Sequence, residues 1–128
     1  MTAILAANRG EANFSWPHVG RDRTIPNIKP VEAVAWLRKH HARVLDVREP
    51  WEYAEGHIPG AQSVPQANLA VRLTEVPRDG DVLVVCAAGN RSMDAAGFLK
   101  AVGYSRVPNL AGGTDGWKEA GNPVETGG

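Results

Sequence analysis

Apolar residues follow two rhythms along this chain. Val82-Leu83-Val84-Val85 is an unbroken aliphatic run between Asp81 and Cys86, and a run without polar alternation suits a central strand covered on both faces. Arg43 to Val47 reads as a second buried strand, with shorter extended pieces at Thr24 to Ile28, Ala61 to Val64 and Arg106 to Leu110. Helical spacing fills the gaps. Val31, Val34, Trp36 and Leu37 follow Pro30, which suits a first helical turn, and this helix ends near His41. A weaker helical pattern covers Asn68 to Glu75. Ala95, Ala96, Leu99 and Val102 recur at steps of three and four, from a possible cap at Ser92 to a stop at Gly103. A last helix is expected from just after Gly113 to Gly121, with Pro123 beyond it. Arg48 to Gly60, punctuated by Pro50, Gly56, Pro59 and Gly60, reads as a long polar loop.

Strands alternating with helices at this spacing predict an α/β domain with a largely parallel sheet and helices on both faces. In such sheets ligands sit beyond the carboxyl ends of the strands. Cys86 ends the most apolar strand, so topology alone points there.

The 128 residues are 43% hydrophobic and 22% charged, enough to fill one core and too few for a multidomain protein. Residues 1–23 show neither period and read as an irregular N-terminal arm, 24–124 as the domain, and 125–128 as a frayed C-terminal tail. Fourteen Lys plus Arg balance 14 Asp plus Glu, so no whole-molecule field draws in nucleic acid or an anionic membrane. Arg38-Lys39-His40-His41, the longest basic run, reads as a solvated helix end. No apolar run approaches the roughly 20 residues that cross a bilayer, and the N-terminus lacks a basic region ahead of Ile4-Leu5, so a cytoplasmic location is expected. A single cysteine excludes an internal disulfide, and four scattered histidines offer no spaced ligand set for a metal.

The chemistry gathers around Cys86. The stretch Cys86-Ala87-Ala88-Gly89-Asn90-Arg91-Ser92 reads as strand end, small-residue loop, arginine and helix start. Small residues let such a loop curl until its N–H groups converge on one spot, and the helix end adds positive potential that favours a thiolate over a thiol. Arg91 supplies a fixed cation that either holds an oxyanion or braces the loop. A buried free cysteine is otherwise usually inert. An inert one, however, has no need of a glycine loop, an arginine and a helix start directly after it.

This loop resembles the active-site loop of the rhodanese (thiosulfate sulfurtransferase-like) domain family. Two further stretches match the family's other signature regions in order. One is Leu45-Asp46-Val47-Arg48-Glu49-Pro50-Trp51-Glu52-Tyr53 with Gly56-His57-Ile58-Pro59-Gly60-Ala61; the other is Asn109-Leu110-Ala111-Gly112-Gly113 with Gly116-Trp117. The resemblance implies a three-layer single domain with a central, mainly parallel five-stranded sheet. It also implies a thiosulfate sulfurtransferase in which Cys86 carries sulfane sulfur as a persulfide and the backbone of Ala87, Ala88, Gly89, Asn90 and Arg91 cradles the transferred atom. Thiosulfate would be the small-molecule donor and cyanide or a thiol the acceptor, with no cofactor and no metal. A persulfide relay serving an acceptor protein is the alternative. Phosphatases related to this fold carry a C-x5-R loop, whereas only four residues separate Cys86 from Arg91, and a shorter ring of donors suits one sulfur atom better than a phosphoryl group.

Other polar residues have duller expectations. Asp46 and Arg48 are expected to brace the Arg48 to Gly60 segment, and the His57 ring to hydrogen-bond backbone. Trp36 and Trp117 are expected in the core and Trp51 at the entrance to the site. Gly112 and Gly113 are expected to allow a close backbone approach to the loop.

Overall fold

A computed structural model describes residues 24–128; the arm read at 1–23 lies outside the described residues. Five parallel strands form one sheet: β1 (Asn27–Ile28), β2 (Arg43–Asp46), β3 (Gln62–Ser63), β4 (Val82–Val85) and β5 (Asn109–Leu110), in the order β1-β5-β4-β2-β3. Four helices pack around it: α1 (Pro30–His40), α2 (Pro50–Glu55), α3 (Asn90–Ala101) and α4 (Gly113–Glu119).

β4 is buried at every position, and its side chains alternate between two cores. Val82 and Val84 pack with Ala95, Ala96, Phe98 and Leu99 of α3. Leu83 and Val85 pack with Ala33 of α1 and Trp117 of α4, with Trp36 and Leu37 half-buried at the edge. That double burial is why the strand has no polar alternation. Val31, placed by spacing among the apolar positions of α1, is 81% exposed, and Ala33 takes the buried position instead.

Three local departures from the sequence reading matter later. The segment Arg48 to Gly60 is not all loop: it contains α2, entered through Pro50 and closed by a capping box between Glu49 and Glu52. In place of a helix over Asn68 to Glu75, the chain makes two short 3-10 turns, Gln66–Asn68 running into its start and Leu73–Glu75 at its end. The tail expected to fray is tied down. Glu125 and His57 exchange two backbone hydrogen bonds of 2.8 Å, and Gly127 N–H donates to the Ala54 carbonyl at 2.8 Å. Among the described residues no helix is long and apolar enough to cross a membrane.

From β2 the chain moves outward to β3, and from β4 it moves outward the other way to β5. The crevice between the carboxyl ends of β2 and β4 is therefore the switch point of the sheet, where open α/β folds bind ligands.

Candidate active site

Both lips of that crevice are braced. On the β2 side, Arg48 Nε and Nη2 donate to the Asp46 carboxylate at 2.9 and 2.7 Å, and Nη2 also reaches the Gly56 carbonyl at 2.9 Å. Asp46 and Arg48 are both buried, so this pair fixes the loop into and out of α2, the bracing role expected of it. His57 Nδ1 lies 2.8 Å from the Tyr53 carbonyl, an acceptor to which the ring nitrogen must donate, and the two rings stack at 3.7 Å. His57 thus binds backbone, as expected.

On the β4 side the chain turns sharply after Val85. Cys86 is buried, and its Sγ accepts the Gly89 N–H at 3.1 Å. Gly89 adopts φ +101° as the N-cap of α3, a conformation that favours glycine. A Cβ there would also lie 3.2 Å from the Gly112 nitrogen. The carbonyls of Cys86 and Ala87 turn the other way and accept the N–H groups of Thr114 and Asp115 at 2.8 and 3.0 Å. The first turn of α4 therefore holds the loop from behind. Gly113, at φ +59°, makes this approach possible, because a Cβ there would come within 2.5 Å of both carbonyl oxygens.

Arg91 leaves the first turn of α3 and forks onto Glu52 of α2, with two hydrogen bonds of 2.9 Å. This bidentate pair joins the two lips of the crevice. The Arg91 hydrogen bond holds the Glu52 carboxyl down at about 2 against partial burial. Glu52 in turn keeps Arg91 firmly protonated. Of the two roles left open for Arg91, the geometry is that of a brace.

Ser92 does not cap α3, since Gly89 holds that position. Its buried hydroxyl lies 3.2 Å from Cys86 Sγ and 2.5 Å from Asn109 Oδ1. Glu52, Ser92 and Asn109 lie in the matched stretches, but the sequence reading gave none of them a role at the sulfur. Glu52 could have been found from the Glu49-Pro50-x-Glu52 capping signature that announces α2. Asn109 heads the third matched stretch, but its place beside the sulfur follows only from the pairing of β5 with β4. Trp51, on α2 beside Glu52, is 63% exposed, and Trp117 is buried as expected. Among the described residues no His, Cys, Asp or Glu cluster is suited to hold a metal ion.

The arrangement is a buried cysteine at a strand end, in contact with one loop amide and one hydroxyl at a helix N-terminus. The sequence profile of the rhodanese-like domain matches residues 29–120. The chain belongs to the rhodanese-like domain family. Among curated relatives, a sulfurtransferase of Allochromatium vinosum is 41% identical over 81 residues, which are 63% of this chain and 76% of that one. The thiosulfate sulfurtransferase GlpE of Pseudomonas entomophila is 40% identical over 99 residues, 77% of this chain and 89% of its own. Among solved structures, a rhodanese-related protein from Thermoplasma volcanium superposes with a TM-score of 0.71 at 34% identity, covering 78% of this chain and 97% of that one. The five-stranded parallel sheet with helices on both faces is the architecture expected of the rhodanese-like family.

Proposed function

We propose that this protein is a thiosulfate sulfurtransferase working by double displacement through Cys86. The Cys86 thiolate attacks the outer, sulfane sulfur of thiosulfate; the S–S bond of the donor breaks and sulfite leaves with its electron pair. The persulfide then meets cyanide or a thiol, which takes the outer sulfur and returns the electron pair to Cys86. Every species that passes through the loop is anionic at the transferred sulfur. The Gly89 N–H and the α3 N-terminus, with the backbone of Ala87, Ala88, Asn90 and Arg91 that the family resemblance implies as the rest of the cradle, would therefore act on charge that moves but never leaves.

The observation that carries this reading is the Gly89 N–H on Cys86 Sγ at the mouth of a twelve-residue helix. The relatives named sulfurtransferases support it as well. No step calls for a metal or an organic cofactor. The test is steady-state thiocyanate formation with thiosulfate and cyanide both varied. Parallel double-reciprocal lines, abolished by Cys86→Ser, are expected; intersecting lines, or turnover that survives Cys86→Ser, would overturn the mechanism.

One observation favours a second reading, in which the chain relays persulfide to an acceptor protein in the cytoplasm. Arg91, the cation of the loop, is neutralised by Glu52, which leaves it poorly placed to draw in a small dianion. Sulfur that loads from thiosulfate but leaves slowly with cyanide or small thiols would favour the relay.

A further inference from the structure

Ser92 Oγ carries one hydrogen and has two neighbours that could accept it, Asn109 Oδ1 at 2.5 Å and Cys86 Sγ at 3.2 Å. Asn109 cannot turn away. Its Nδ2 donates to the Gly89 carbonyl at 3.2 Å and to Asn27 Oδ1 at 2.9 Å. A carbonyl oxygen only accepts, so the amide nitrogen must face Gly89 and the amide oxygen must face Ser92. Asn27 and Asn109 are register partners in the β1–β5 pair, so the sheet itself sets this orientation. While Cys86 is a thiol, the Ser92 hydrogen belongs to Asn109, and the S–H donates to Ser92 Oγ. Once the sulfur is an anion it is the stronger acceptor. A rotation of one O–H bond, with no heavy atom moving, then turns the hydrogen from Asn109 to the sulfur.

We infer that Ser92 is a hydroxyl switch for the Cys86 sulfur, with Asn109 as the positioning residue that holds it ready, stabilising the anion formed each time sulfur leaves the enzyme. The inference rests on Cys86 being the sulfur carrier proposed above. When the acceptor takes the outer sulfur, the S–S bond breaks and its electron pair returns to Cys86 Sγ. Ser92 O–H and Gly89 N–H then donate to that sulfur together. The charged group that acts on Cys86 through space is Arg91, itself paired with Glu52. From β5 the sulfur's neighbourhood receives the neutral Asn109, and from α4 the Thr114 N–H binds the Cys86 carbonyl and the Asp115 N–H the Ala87 carbonyl. Deleting the Ser92 hydroxyl leaves these charges and backbone contacts in place and removes only the donor to Asn109 Oδ1, whose amide stays held through Nδ2 by Gly89 and Asn27.

Cys86 is the only cysteine in the sequence, so alkylation by iodoacetamide reads this one sulfur. Wild type, Ser92→Ala and Ser92→Thr full-length proteins are compared for alkylation rate against pH, for single-turnover loading from thiosulfate and unloading to cyanide, and for thermal melting. Losing a hydrogen bond to a charged acceptor is expected to shift the alkylation midpoint of Ser92→Ala upward by about one pH unit and to slow unloading about tenfold. Ser92→Thr, which keeps the hydroxyl, is expected to stay within about twofold of wild type by the same reasoning. Ser92→Gly deletes the same hydroxyl and replaces Ser92→Ala if that variant does not fold. A hydroxyl-free variant with the wild-type profile, or a Ser92→Thr profile displaced as far as that of Ser92→Ala, would overturn the switch. If wild type fails to load from thiosulfate, the sulfurtransferase reading falls while the alkylation profiles still decide the role of Ser92.

Discussion

Replacing Glu52 with Gln isolates the ion pair that joins the lips of the crevice. Gln keeps a side-chain oxygen for the Glu49 N–H, now accepted at 2.9 Å, so the capping box of α2 survives, while the charge and one of the two hydrogen bonds from Arg91 are lost. The Glu52 carboxyl is held at about 2 against an ordinary 4.5, chiefly by its hydrogen bonds to Arg91. At about 1.4 kcal/mol per tenfold change in proton affinity, that corresponds to an upper bound of roughly 3–4 kcal/mol. The Arg91 side chain is 38% exposed, and solvent screening brings the expected loss to roughly 1–2 kcal/mol. The sign follows from a depressed folded-state value. The stabilisation is fully present above pH 4.5 and fades as pH falls towards about 2. Urea unfolding of wild type and Glu52→Gln at a series of pH values reads this directly. A gap of about 1–2 kcal/mol at neutral pH should shrink below the ordinary carboxylate range and nearly close at the acid end. A gap that stays constant with pH, or none at neutral pH, would refute the argument.

Gly113→Ala should be among the most damaging small substitutions. Its methyl would lie within 2.5 Å of the Cys86 and Ala87 carbonyl oxygens at φ +59°, so a loss above about 2 kcal/mol and collapse of sulfur loading are expected, checked by denaturation and mass spectrometry. Thr114→Val should act oppositely. Thr114 Oγ1 is buried with no hydrogen-bond partner, and an isosteric apolar side chain should raise stability by about 1 kcal/mol; a drop of that size would show that the hydroxyl is satisfied. Deleting residues 125–128 removes the backbone hydrogen bonds to His57 and Ala54, so the melting temperature should fall by a few degrees, at about 1 kcal/mol per bond; an unchanged melt would mean the tail adds no stability.

The legible parts of this protein were those written in local pattern. Val82 to Val85 announced the central strand because both faces of β4 are covered, and the loop from Cys86 to Arg91 announced itself by small residues between a strand and a helix. α2 was harder, because at six residues it is too short to show a period, and Pro50 and Gly56, read as loop punctuation, are its first residue and its C-cap. Ser92 looked like a cap because of where it stands in the chain. Its partners, Cys86 and Asn109, meet it only after the sheet forms. The tail looked frayed because Glu125 finds its partner in His57, far away in sequence. Contacts made across the sheet order leave no periodic trace, and residues that act through them escape a reading of the chain alone.

The central claim is that Cys86 carries the transferred sulfur, and intact mass of the protein after incubation with thiosulfate tests it most directly. Wild type should gain about 32 Da, one sulfur, and lose it again on addition of cyanide, while Cys86→Ser gains nothing. No gain in wild type, from thiosulfate or from other persulfide donors, or an equal gain in Cys86→Ser, would contradict the account.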